Sequence, residues 1–180
     1  GRVDIMMHTL ERFLTKHGDA SPTDDISVSI IKSTMENGIK ALEDPYNYQA
    51  RAALMWNGTL SHNGLTGLGR NYFMISHQIE HEISGMYDRI SHGAGLAIIF
   101  PAWCKWAYKY DIPRFLSFAK DIMGVNDNGK DEEIILAGIN KLYQFFNSIG
   151  MPTHLSDVDI DDSHYIYMSV YIHGNIRRQK

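Results

Sequence analysis

The sequence predicts an all-α protein. Three observations carry that expectation. Apolar residues recur at spacings of three and four along most of the chain. Helix start and stop signals bound the segments so marked. No convincing strand has a second strand to pair with. With 180 residues, 44% hydrophobic and 21% charged, the chain suits a single domain that buries roughly 70% of its unfolded surface. It has none of the biases of disordered, collagen-like or low-complexity chains.

The first helix is marked at once by Val3, Met6, Met7, Leu10, Phe13 and Leu14. Ser21-Pro22-Thr23-Asp24 opens the second, with a proline suited to the first turn. Its stripe of Ile26, Ile30, Ile31, Met35, Ile39 and Leu42 stops before Pro45. A third helix fits Tyr46 to about His62, and the glycines Gly64, Gly67 and Gly69 break the chain after it. A fourth spans about Tyr72 to Asp88, and a fifth follows His92-Gly93, with a kink expected at Pro101. Pro113 to Gly124 gives a short sixth. After the loop at residues 125–129, Asp131, Glu132 and Glu133 suit the positive end of a seventh helix that Gly150 ends. The β-branched and aromatic run Tyr165–Ile172 is also expected to be helical, because a strand there would be an orphan.

Charge and cysteine content exclude several functions. Lys+Arg is 17 against Asp+Glu 21, a formal net charge of −4. That is no nucleic-acid footprint. No apolar run approaches ~18 residues, so no membrane span is expected. The single cysteine, Cys104, makes no internal disulfide, which suits a reducing, cytoplasmic setting. The opening Gly1-Arg2-Val3-Asp4 is already patterned as helix. The chain therefore reads as a fragment, a single domain over residues 1–180 without a preceding partner domain.

The residues suited to chemistry lie on three segments. His77, Glu80, His81, Ser84 and Asp88 share one stripe of the fourth helix, with Ile75, Ile79, Ile83 and Met86 opposite. Two histidines one turn apart can converge on one ion. Asp4 and His8 repeat the i, i+4 arrangement on the first helix, and His92 begins His92-Gly93-Ala94-Gly95. Three histidines and an aspartate on three segments suit a divalent metal. His77-Gln78-Ile79-Glu80-His81 also spells H-x-x-E-H, the inverted zinc-peptidase motif, which would leave Asp4, His8 and His92 unexplained. A non-catalytic helical domain with solvated polar stripes is the other alternative. No glycine-rich phosphate loop of either common kind exists. His17, His62, His154, His164 and His173 read as ordinary surface or core residues, and Cys104 as core packing.

Taken in order, Asp4-x-x-x-His8, His77-Gln78-Ile79-Glu80-His81-Glu82-Ile83-Ser84 and His92-Gly93-Ala94-Gly95-Leu96-Ala97-Ile98 resemble the iron-containing alcohol dehydrogenases, nearest the butanol dehydrogenase-like branch. Met55-Trp56, Asn63-Gly64-Leu65 and Phe100-Pro101-Ala102-Trp103 strengthen the resemblance. It covers residues 1–150 well and weakens beyond Ile160.

The resemblance implies a two-domain, NAD(P)H-dependent enzyme about twice this length. This chain would be its helical C-terminal half, of the fold shared with dehydroquinate synthase-like proteins. Carried over by position, Asp4, His8, His77 and His92 are the ligands of Fe2+ or Zn2+. His81 lines the substrate pocket or relays a proton. The substrate would be a small alcohol or aldehyde. The spacing from His77 to His92 is one longer than in many members, with the extra residue between Tyr87 and Ser91. The chain alone is expected to be inactive, and the walls of a lost cleft favour a homodimer or higher oligomer.

Overall fold

The computed structural model describes residues 1–15 and 21–161. Seven α-helices run through them: α1 Arg2–Phe13, α2 Ser21–Glu43, α3 Tyr48–His62, α4 Ile75–Met86, α5 His92–Ala107, α6 Ile112–Ser117 and α7 Asp131–Ser148. A π turn, Phe118–Ile122, extends α6, and short 3-10 turns lie at Leu65–Gly67, Tyr108–Tyr110 and Leu155–Val158. No β-strand is present among the described residues. The helix expected at Tyr165–Ile172 lies outside them. No helix among the described residues is long and apolar enough to cross a membrane.

Local chemistry explains the boundaries. The Asn47 side chain accepts from Ala50 N at 3.0 Å and caps α3. Asp111 does the same for Arg114 N in α6, where Pro113 sits in the first turn. At α7, the Glu133 carboxylate reaches back to Lys130 N at 3.1 Å. Helix α4 starts at Ile75, three residues later than its pattern suggests. Helix α5 continues through Pro101 to Ala107.

α1 is the central element. Met6, Met7, Leu10 and Phe13 are wholly buried against Leu96, Phe100, Phe115, Phe118, Ile135 and Phe146. Cys104 is buried in the same core. Each such side chain contributes about 1.5–3 kcal/mol when fully buried. At Gly138, α7 comes so close to the π turn that a Cβ would lie 2.7 Å from the Cβ of Ala119. α4 and α5 pack on one another beside α1. That arrangement brings the three histidine-bearing segments together.

α4 buries part of each face. Ser76, His77, Glu80 and Ile83 are buried, whereas Ile75 and Met86 are exposed. Asp88 lies beyond the helix end. The His77 and Glu80 part of the polar stripe faces inward while His81 stays exposed, which a wholly solvated stripe does not accommodate. A buried carboxylate and imidazole are tolerated only when paired, and here both are.

Candidate metal centre

Asp4 and His8 stand one turn apart on α1, half-buried beside the core residues Val3 and Met7. Asp4 Oδ1 is ringed by three imidazole nitrogens. His8 Nε2 and His77 Nε2 lie 3.5 Å from it, and His92 Nε2 lies 3.4 Å away. Asp4 Oδ1 and His77 Nε2 are buried and have no hydrogen-bond partner. Two buried polar atoms facing each other without a hydrogen bond are costly unless a cation, a proton or a metal ion, joins them. Donors ~2.1 Å from one ion in a tetrahedral set lie roughly 3.4 Å apart, by simple geometry from ordinary metal–ligand lengths. The three separations from Oδ1 fit such an ion. One carboxylate with three imidazoles is also a donor set that borderline divalent metals accept.

Two of the rings are held from behind by buried carboxylates. His77 Nδ1 donates to Glu11 Oε2, and His92 Nδ1 donates to Glu80 Oε2. Each contact fixes the tautomer that leaves Nε2 free toward Asp4. Glu11 comes from α1, one turn beyond His8. Its other oxygen accepts from Ser76 N at 2.5 Å, so it also satisfies the first turn of α4 and meets its positive end. Glu80 is wholly buried and accepts in addition from Ser84 Oγ. His8 Nδ1 has no such partner.

The electrostatics follow from this crowding. Burial alone would raise the Asp4 carboxyl. Its approach to His77, the charge of His8 and the contact with His62 outweigh that and hold it well below the usual carboxylate range. Burial, together with charge on His77 and His62, pushes His8 down to about 4. Burial would lower His77 too, but Asp4 and Glu11 pull it up to about 9.

His81 is exposed at the rim, its ring centroid 6.4 Å from that of His77 and 5.3 Å from that of His92. With Glu80 and His92 it forms a second group of possible donors beside Asp4, His8 and His77. His92 joins the two groups, with Nε2 toward Asp4 and Nδ1 toward Glu80. The H-x-x-E-H peptidase alternative fares badly here. Glu80 is sealed in the interior between His92 and Ser84, where it faces no open position for water.

The sequence pattern missed two residues at this centre. Glu11 follows Asp4 and His8 at i+7 and i+3, a helical stripe that could have revealed it. His62, read as an ordinary histidine, places Nε2 3.2 Å from Asp4 Oδ2 and its ring centroid 4.1 Å from that of His8. No local spacing points to it, because α1 and α3 meet only in the fold.

Residues 1–170 match the C-terminal domain of the Fe-containing alcohol dehydrogenase family. The chain belongs to this family. Among its curated relatives, the probable NADH-dependent butanol dehydrogenase 1 of Bacillus subtilis is 36% identical over 163 residues, covering 90% of this chain and 42% of that protein. The NADPH-dependent aldehyde reductase YqhD of Escherichia coli is 38% identical over 165 residues, covering 91% of this chain and 42% of that protein. A solved structure of the E. coli aldehyde reductase YqhD, free of substrate and cofactor, superposes with a TM-score of 0.92 at 33% identity, over 97% of this chain and 45% of that one. NADH-dependent butanol dehydrogenase A of Thermotoga maritima gives 0.89 at 35% identity, over 96% and 43%. The all-α architecture is thus that of the family's C-terminal domain. The chain spans about two fifths of the length of the relatives it matches.

Proposed function

We propose that this chain is the metal-binding half of an NAD(P)-linked alcohol dehydrogenase or aldehyde reductase of the butanol dehydrogenase-like kind. The observation that carries the reading is the ring of three imidazole Nε2 atoms around the orphaned Asp4 Oδ1. Asp4, His8, His77 and His92 would hold a divalent ion, Fe2+ by family and Zn2+ by the same donor chemistry. When bound, the ion supplies a Lewis acid for the oxygen of an alcohol or aldehyde.

The remaining roles belong to the chain's own side chains. Glu11 and Glu80 hold the rings of His77 and His92 in one tautomer and orientation. Asp4 contributes the negative charge that favours a cation among three neutral rings. His81, exposed at the rim and beside His92, is placed to carry a proton between a small substrate and solvent. The nicotinamide cofactor would be held by a part of the protein outside these residues, which contain no phosphate-binding glycine loop. The buried, single Cys104 supports a reducing, cytoplasmic compartment. Exposed Tyr46, Tyr48, Met55 and Trp56 support burial against another domain or another copy, in a homodimer or higher oligomer.

The test is metal analysis of purified His77→Ala protein loaded with Fe2+ or Zn2+, with circular dichroism as the check on folding. A well-folded variant should lose its ion. Unchanged stoichiometry would refute the ligand assignment.

A further inference from the structure

The ion reading explains one oxygen of Asp4 and leaves the other to be accounted for. Oδ1 faces the three ligand rings. Oδ2 faces a fourth imidazole, His62 Nε2, at 3.2 Å. His62 ends α3, 58 residues from Asp4 in sequence. The contact is too long-range to be an accident of helix periodicity.

The surroundings of His62 fix what it does. Its Nδ1 lies 2.7 Å from Ser61 Oγ and 2.9 Å from the carbonyl of Gly58. A ring with hydrogen on Nε2 donates to Asp4 Oδ2 and can accept at Nδ1 from the Ser61 hydroxyl, whose hydrogen otherwise goes to the Gly58 carbonyl at 3.0 Å. A ring with hydrogen on both nitrogens donates to Gly58 and to Asp4. The one remaining arrangement, hydrogen on Nδ1 alone, would set two lone pairs against each other across 3.2 Å. The end of α3 is itself clamped to α1. The guanidinium of buried Arg12 donates to the Ser61 carbonyl and, at 2.9 Å, to Thr66 Oγ1, and it lies 5.0 Å from the centre of the Tyr72 ring. Arg12 and Asp4 share one helix, so the clamp sets the distance between His62 and the carboxylate it meets.

We infer that His62 is a positioning residue: through Nε2–H it holds Asp4 Oδ2, so that the carboxylate presents only Oδ1 to the ion. This inference rests on the metal reading above. His62 does for the carboxylate ligand what Glu11 and Glu80 do for two of the rings. Losing such a partner typically weakens metal binding 10- to 100-fold without removing a ligand. A carboxylate free to rotate could also take the ion through both oxygens, using a position that substrate needs.

The experiment compares wild-type protein with His62→Leu and His62→Gln. Zn2+ affinity is measured by competition with a chelator, and the imidazole count at the ion by X-ray absorption. His62 is partly exposed, so neither change should prevent folding. The expected result is a loss of tenfold or more in His62→Leu with the imidazole count unchanged. His62→Gln, whose amide N–H reaches the same oxygen, should recover most of the affinity. Affinity within twofold of wild type in His62→Leu would overturn the inference while leaving the metal reading intact. An imidazole lost from the ion in His62→Leu would also overturn it, since His62 would then be a ligand. A wild-type protein that binds no Zn2+ would remove the metal reading, and this inference with it.

Discussion

Gly95 provides a way to perturb the centre without touching any ligand. It lies in the second turn of α5, and a Cβ built there would meet Glu80 Oε1 at 2.6 Å, Cγ at 2.7 Å and Cδ at 3.0 Å. Ordinary contacts of this kind lie near ~3.5 Å, so Gly95→Ala must drive the Glu80 side chain back by roughly 1 Å. Glu80 is wholly buried and is the partner of His92 Nδ1 and Ser84 Oγ, so it has nowhere to go without loosening both. Overpacking costs about 1–3 kcal/mol, offset by about 1 kcal/mol from alanine's better helix propensity. The net loss of stability is therefore about 0–2 kcal/mol, and the fold survives. Metal binding should suffer more. His92 loses the carboxylate that orients it, which corresponds to a 10- to 100-fold weaker affinity. Gly93→Ala is the control, since a Cβ there meets only Val3 Cβ at 3.6 Å, an ordinary contact. Urea unfolding and chelator competition with Zn2+ measure the two effects separately. Equal affinities for Gly95→Ala and Gly93→Ala would show that the Glu80–His92 contact does not support the site.

Three further outcomes are expected. In a full-length protein that also carries the cofactor-binding part, His81→Ala should keep its metal and lose turnover; a variant that loses the ion would make His81 a ligand. Asp24 joins Arg70 and Arg114, and the latter also binds the Phe13 carbonyl. Asp24→Asn should cost about 1–3 kcal/mol in urea unfolding, reduced from a fully buried case by the partial exposure of Asp24, and a change under 0.5 kcal/mol would contradict the reading. Without metal, His77 keeps its proton up to about pH 9 against an ordinary 6.5, so its ion pairs stabilise the metal-free fold below pH 6.5 and that contribution fades as pH rises through 9. An ion must displace this proton, whereas His8, pushed down to about 4, has none to give at neutral pH. Calorimetry of Zn2+ binding at pH 7.5 in two buffers of different ionisation heat should therefore show about one proton released per ion; no buffer dependence would contradict the assignment.

The helices were legible because each carries a long apolar stripe and explicit ends. Val3 to Leu14 became α1, and Ser21-Pro22 opened α2, both as their chemistry dictates. Asp4, His8, His77 and His92 were legible as a set through their spacing and a family resemblance. What the sequence hid was the inward side of α4. Periodicity set Ile75, Ile79, Ile83 and Met86 opposite the histidines, but Glu11, 66 residues from His77, draws the His77 side inward as well. A pairing across that distance leaves no trace in a local pattern. His62 was hidden for the same reason, since its partner Asp4 is supplied by tertiary packing of α3 on α1.

We propose one divalent ion among Asp4, His8, His77 and His92. Crystals of the protein loaded with Fe2+ or Zn2+, with diffraction recorded at the metal's absorption edge, test it most directly. The expected result is a single anomalous peak about 2.0–2.2 Å from Asp4 Oδ1 and from Nε2 of the three histidines. A peak among Glu80, His81 and His92 instead, or none in metal-loaded crystals, would contradict it.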